Sequence, residues 1–174
     1  LVVVGSSPYG TPYAQAVAAE ADDKVLCLGG IFDSAALNAL YANCYAYLHG
    51  HEVGGTNPSL LRAMHGGGAC IPIDVVFHRE VVGDDAPYFG KEPGSLSAIL
   101  ARLDADAPTV ARLGSAARAR VDALYRWDAV AAAYAELLRE VASARRDGRG
   151  TGRLTGVEMY RPEDFVRQEP SPAH

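Results

Sequence analysis

Four short, nearly unbroken apolar runs, Val2–Val4, Val25–Leu28, Tyr45–Leu48 and Cys70–Ile73, alternate with stretches of helical periodicity. Continuous apolar strands of this kind belong to a parallel sheet covered on both faces, because an alternating in-out pattern is expected where one face meets water. Strand-helix alternation gives the connections that parallel strands require. The expected fold is therefore α/β, a Rossmann-like parallel sheet with helices on both faces. Helices are expected over Tyr13–Ala21, over Ser34–Asn43 behind an Asp33 N-cap, and over Ser59–Met64, which Gly66-Gly67-Gly68 stops. Val81-Val82 and Tyr88-Phe89 bracket a further short helix and a small fifth strand. From Ser95 to Ala144 the pattern is helical, broken at Pro108 and at Tyr125-Arg126-Trp127-Asp128, with Asp128 as the expected cap of a helix Ala129–Val141. Trp127 reads as a packing residue of a core or domain interface.

In such a sheet, ligands gather beyond the carboxyl ends of the strands. The unusual residues fall there: Gly5-Ser6-Ser7 after the first strand, Gly29-Gly30-Ile31 after the second, and His49 to Pro58 after the third. With 174 residues, the chain has room for one domain with a sizeable core. We assign residues 1–144 to that domain and residues 145–174, where periodicity gives way to Gly, Arg and Pro, to a flexible or surface-wrapping tail. A net charge of −5 argues against a nucleic-acid partner. Cys27, Cys44 and Cys70 all lie in apolar contexts, as expected of buried thiols in a reducing compartment. Leu1-Val2-Val3-Val4-Gly5 opens directly on a strand, without a signal-peptide pattern, and reads as the middle of a longer protein.

The most informative segment is His51-Glu52-Val53-Gly54-Gly55-Thr56-Asn57-Pro58. Asn57 suits an N-cap and Pro58 the first helical position. Gly54 and Gly55 allow a ligand to approach the backbone, and Thr56 adds a hydroxyl. A glycine loop feeding a helix N-terminus can hold an anion such as a diphosphate. The same residues also suit an ordinary strand-turn-helix junction. His49 and His51 alternate at the strand end and so point to one side, with Glu52 opposite. No histidine spacing matches a metal-ligand pattern, so no metal and no cofactor are expected. Gly-x-Ser-x-Gly and Gly-x-Gly-x-x-Gly are both absent, which weakens hydrolase and dehydrogenase readings.

From Leu1 to Val141 the chain resembles the C-terminal, nucleotide-sugar-binding half of retaining family 4 glycosyltransferases of the two-domain GT-B fold. The resemblance is carried by Val2-Val3-Val4-Gly5 with Pro8-Tyr9, by Val25-Leu26-Cys27-Leu28-Gly29, and by Leu37-Asn38-Ala39-Leu40-Tyr41-Ala42. It continues through Gly54-Gly55-Thr56-Asn57-Pro58-Ser59-Leu60-Leu61-Arg62-Ala63-Met64, Arg79-Glu80-Val81-Val82-Gly83-Asp84 and Tyr125-Arg126-Trp127-Asp128-Ala129-Val130. The Gly-Gly-Thr-Asn-Pro form, with Asp74-Val75-Val76-Phe77, is most similar to bacterial surface-polysaccharide rhamnosyltransferases. The resemblance implies a nucleoside diphosphate sugar as donor and a saccharide or lipid-linked acceptor, with retention of configuration. It also implies an absent N-terminal acceptor domain and first strand, so the fragment alone would be inactive. The location implied is cytoplasmic, with any peripheral contact at the inner face of the membrane made through the absent half.

One departure stands out. The family carries two glutamates eight positions apart around this loop, the second binding the ribose; aligned here, they fall on Gly54 and Arg62. A guanidinium only donates hydrogen bonds, so it cannot accept from ribose hydroxyls. Arg62 is left to meet a phosphate, a structural carboxylate or solvent, and Glu52 is the nearest substitute acid. The expected site is thus His51 and Glu52 beside the reacting sugar, with Gly54, Gly55, Thr56, Asn57 and Arg62 on the diphosphate side. Gly29, Gly30, Ile31, Gly5 and Ser6 are expected near the nucleotide. A nucleotide or phosphosugar-binding module without catalysis, and a sugar-nucleotide epimerase domain, are the alternatives.

Overall fold

A computed structural model describes residues 1–6 and 10–146. It divides into two compact units, Leu1–Arg126 and Trp127–His174. The first unit is α/β. Its opening elements are β1 (Val2–Val3), α1 (Pro12–Ala19), β2 (Leu26–Cys27) and α2 (Ser34–Asn43). They are followed by β3 (Ala46–His49), α3 (Pro58–Gly66), β4 (Ala69–Pro72), α4 (Val76–Val82), α5 (Ser95–Asp104) and α6 (Ala107–Leu124). The second unit contains α7 (Trp127–Arg146). Of the tail expected from residue 145, everything beyond Arg146 lies outside the described residues, as do Ser7, Pro8 and Tyr9 of the first turn.

The four expected strands form, and their pairing is parallel, but they make two separate pairs rather than one sheet. β1 pairs with β2 through Val2↔Leu26 and Val3↔Cys27; β3 pairs with β4 from Ala46↔Ala69 to His49↔Pro72. The expected fifth strand is reduced to one parallel bridge, Ile73↔Phe89. The core belongs to β3–β4, which is covered on both faces. Cys70 faces Leu60, Ala63 and Met64 of α3, with Val81 of α4 and Ala117 and Val121 of α6. Ala69 and Ile71, its neighbours along the strand, face the other way onto Leu103 of α5 and Val110 and Leu113 of α6. That division follows from the two-residue period of a strand.

The β1–β2 pair is not core. Val2 and Leu26 keep nearly half of their surface, and α1 and α2 bury no residue. The expectation of four core strands fails here because half of α1 is alanine and its one large apolar side chain, Tyr13, is 80% exposed, which leaves little bulk to lay over the strands. Cys27 is accordingly exposed, against the expectation of a buried thiol, while Cys44 is half-buried and Cys70 buried.

Local signals set most helix ends. Asp33 accepts from the amides of Ala35 and Ala36, and Asn57 from that of Ser59. Gly67, at φ 83°, closes α3 in the left-handed region that glycine favours. The expected break at Pro108 is present: α5 ends at Asp104 and α6 starts at Ala107, with Asp106 as its N-cap and Pro108 in its first turn. Asp128 is not a cap either, since α7 already begins at Trp127 and the carboxylate lies within the first turn.

Candidate functional site

The carboxyl end of β3 leads into the glycine loop and α3. Pro58 has no N–H, and the Ser59 amide is occupied by the Asn57 side chain at 2.9 Å. The helix end itself is therefore less available to an anion than the sequence suggests. The loop before it compensates. Gly54, Gly55 and Thr56 are exposed, and their backbone N–H groups donate no hydrogen bond among the described residues. Gly54 has φ 135°, which disfavours a side chain, while a Cβ at Gly55 would meet nothing within 4 Å. Unpaired amides on an exposed loop can converge on a phosphate at no cost in broken protein hydrogen bonds.

His51 and Glu52 diverge as strand alternation predicts. The His51 ring stacks on His49 with centroids 4.8 Å apart. Glu52 turns to Lys91, whose Nζ donates to Oε2 at 2.6 Å. Beside this ion pair a cleft of about 630 Å³ opens between Gly50, Glu52, Ile73, Phe89, Lys91 and Leu96. It lies where β3 and β4 end, the edge at which ligands collect in parallel sheets. A carboxylate bound to an ammonium is fixed in place, and both partners remain partly exposed.

Arg62 is exposed on α3 and makes no hydrogen bond or ion pair among the described residues. Gly5, Ser6, Gly29 and Gly30 are brought together at the ends of β1 and β2. The Gly5 amide donates to the Gly29 carbonyl at 2.8 Å, and a Cβ on Gly30 would stand 3.0 Å from Ser6 Oγ. Ile31 follows, half-buried. No hydrogen bond joins this group to the loop at 51–57 among the described residues.

One residue at this edge escapes a reading of the sequence, and another takes a place there that spacing does not give. Lys91 lies 39 positions from Glu52; its one signal is rarity, since the chain has two lysines. His78, which the sequence offers with His65 only as a further histidine beside His49 and His51, is fully buried on α4 and meets the His49 ring edge-on at 4.8 Å. The α4 segment is held by Arg79, which donates to both oxygens of Asp74 at 2.7 and 2.8 Å and lies over the Tyr88 ring. That contact holds the Asp74 carboxyl below its usual range. Tyr88 Oη donates to the Gly83 carbonyl at 2.7 Å, closing the helix end, and burial raises its phenol to about 12.

No group of three or more His, Cys, Asp or Glu side chains is arranged to hold a metal ion among the described residues. No helix there is long and apolar enough to cross a membrane. No protein-family model and no curated protein matches this chain.

Proposed function

We propose that this chain is the donor-binding part of a retaining glycosyltransferase, taking a nucleoside diphosphate sugar and passing the sugar to a saccharide or lipid-linked acceptor. The observation that carries the reading is the row of unpaired, exposed amides at Gly54–Thr56, beyond the carboxyl end of the half-buried parallel strand β3. Loop amides of this kind stabilise a departing diphosphate by preorganised dipoles, with no metal required. In this reading Arg62, free on the next helix, adds a positive charge toward the phosphates. Gly5, Ser6 and Gly29–Ile31 receive the nucleotide. His51 and Glu52 stand beside the sugar, and Lys91 sets the orientation of the Glu52 carboxylate.

The Glu52–Lys91 pair also favours the second reading, a nucleotide-binding module without chemistry, because a carboxylate engaged at 2.6 Å is a structural group first. Calorimetric titration with a nucleoside diphosphate sugar separates binding from its absence. Gly55→Val should weaken binding at least tenfold while leaving the melting temperature unchanged, since its Cβ has open space. Arg62→Ala should lose ~1.5–3 kcal/mol of affinity, the scale of a hydrogen bond to a charged group. Wild-type affinity in both variants removes this loop from the site.

A further inference from the structure

Three imidazoles meet at the end of β3. His49 and His78 are essentially inaccessible, at 1% and 0% exposure, and the exposed His51 stacks on His49 from the loop. His49 stacks on His51 at 4.8 Å and meets the His78 edge at 4.8 Å. The other nitrogens of the buried pair are accounted for: His49 Nδ1 lies 3.2 Å from Tyr47 Oη, and His78 Nδ1 lies 2.9 Å from the Ile73 carbonyl. A carbonyl only accepts, so His78 Nδ1 carries the hydrogen and its Nε2 holds a lone pair. Nε2 of His49 and Nε2 of His78 are both buried without a hydrogen-bond partner.

We propose that the packed rings of His49, His51 and His78 form a latch on this edge of the sheet, closed while the buried His49 ring is neutral and opened when that ring takes up a proton, which frees the loop at 51–56. A charged ring in this cluster would face other imidazoles and find no carboxylate to balance it. From β3 the facing group is Tyr47, whose phenol burial keeps protonated; from the loop it is His51; from α4 it is His78. From β4, the residue opposite His49 is Pro72, which is uncharged. The two acids flanking the cluster in sequence are engaged elsewhere, Glu52 by Lys91 and Asp74 by Arg79.

Burial, then His78 and His51, push His49 down to about 4, whereas a ring released by opening titrates near the ordinary 6.5. The open form therefore binds the extra proton first. Its population relative to the closed form should rise about tenfold by pH 5.5 and about thirtyfold by pH 5. The latch does not depend on the donor-binding reading, and its test uses no nucleotide.

Hydrogen exchange of the 174-residue chain reads the latch, because the Ile73 amide donates to the His49 carbonyl at 2.8 Å. After correction for the intrinsic exchange rate, exchange at Ile73 should rise about thirtyfold from pH 7.5 to pH 5. Amides of Leu113 and Val121 in α6 should exchange more slowly than Ile73 at both pH values, because they open only with the larger unfolding. His49→Phe keeps the ring and removes the titration, and should flatten the Ile73 response. An Ile73 rate that is constant in the wild type, or a rise that survives His49→Phe, overturns the proposal. Should that variant not fold, imidazole nitrogen shifts of the wild type decide: His49 neutral at pH 5 agrees, and His49 protonating near 6.5 in the folded chain overturns it.

Discussion

The segments β1–α1–β2 and β3–α3–β4 have the same topology, a strand, a helix and a parallel strand, yet they end in opposite situations. α3 buries Leu60, Ala63 and Met64, and β4 is buried along its length; α1 buries nothing, and β2 is exposed at both residues. Both carry glycine loops at their carboxyl ends. Local sequence is enough to set the βαβ pattern, but stability depends on what the helix brings to the strand. α3 brings leucines and a methionine, and α6 packs against it; α1 brings alanines.

The comparison predicts where mutations hurt. Leu60→Ala, at a fully buried site, should cost ~2–5 kcal/mol in chemical denaturation. Leu26→Ala, 47% exposed, should cost less than ~1 kcal/mol. Equal losses would mean that both halves share one core.

Acid should act on the buried half next. His49 is lowered to about 4 by burial and by its histidine neighbours, so folding favours its neutral form. The contribution is fully present above pH 6.5 and is lost as pH falls toward 4, by at most about 3 kcal/mol. Melting temperature measured against pH checks this, with His49→Phe expected to be flatter than the wild type.

Gly114 offers a sharper probe of the α3–α6 contact. A Cβ there would run into the Gly67 carbonyl, so Gly114→Ala should destabilise by ~1–3 kcal/mol despite alanine's better helix propensity. A stabilised variant would show that α6 sits further from the α3 terminus.

The smallest contrast is between caps. Asn57→Ala removes the acceptor for the Ser59 amide and should cost about 1 kcal/mol. Thr11→Ala removes the equivalent bond to Ala14, in the half that adds little to the core, and should leave the global melting temperature within about a degree. A Thr11 effect as large as that of Asn57 would merge the two halves.

Much of this was legible in the sequence. Asp33, Asn57, Pro58 and the glycines after Met64 act locally, through hydrogen bonds to amides two or three residues away, and such signals survive in any context. β3 and β4 were readable because apolar runs flank a helix rich in large apolar residues. The division into two sheets was not readable, because nothing within Val2–Val4 or Val25–Leu28 records whether another strand or helix covers them. Neither was the pairing of Glu52 with Lys91 or the entry of His78 into the histidine cluster. Both arise when α4 and the segment after it fold back onto β3 and β4, where Phe89 bridges Ile73. Contacts over such separations leave no spacing rule in the chain.

The central claim is that the amides of Gly54–Thr56 receive a diphosphate. Amide nitrogen–proton NMR of the isotope-labelled 174-residue chain, titrated with dTDP and with UDP, tests it most directly. The account predicts saturable shifts at Gly54, Gly55 and Thr56, with accompanying shifts at Gly29–Ile31 and weaker changes at 54–56 when the matching monophosphate is used. Titrations that leave Gly54–Thr56 unmoved up to millimolar nucleotide, or that move only the β1–β2 loops, would contradict it.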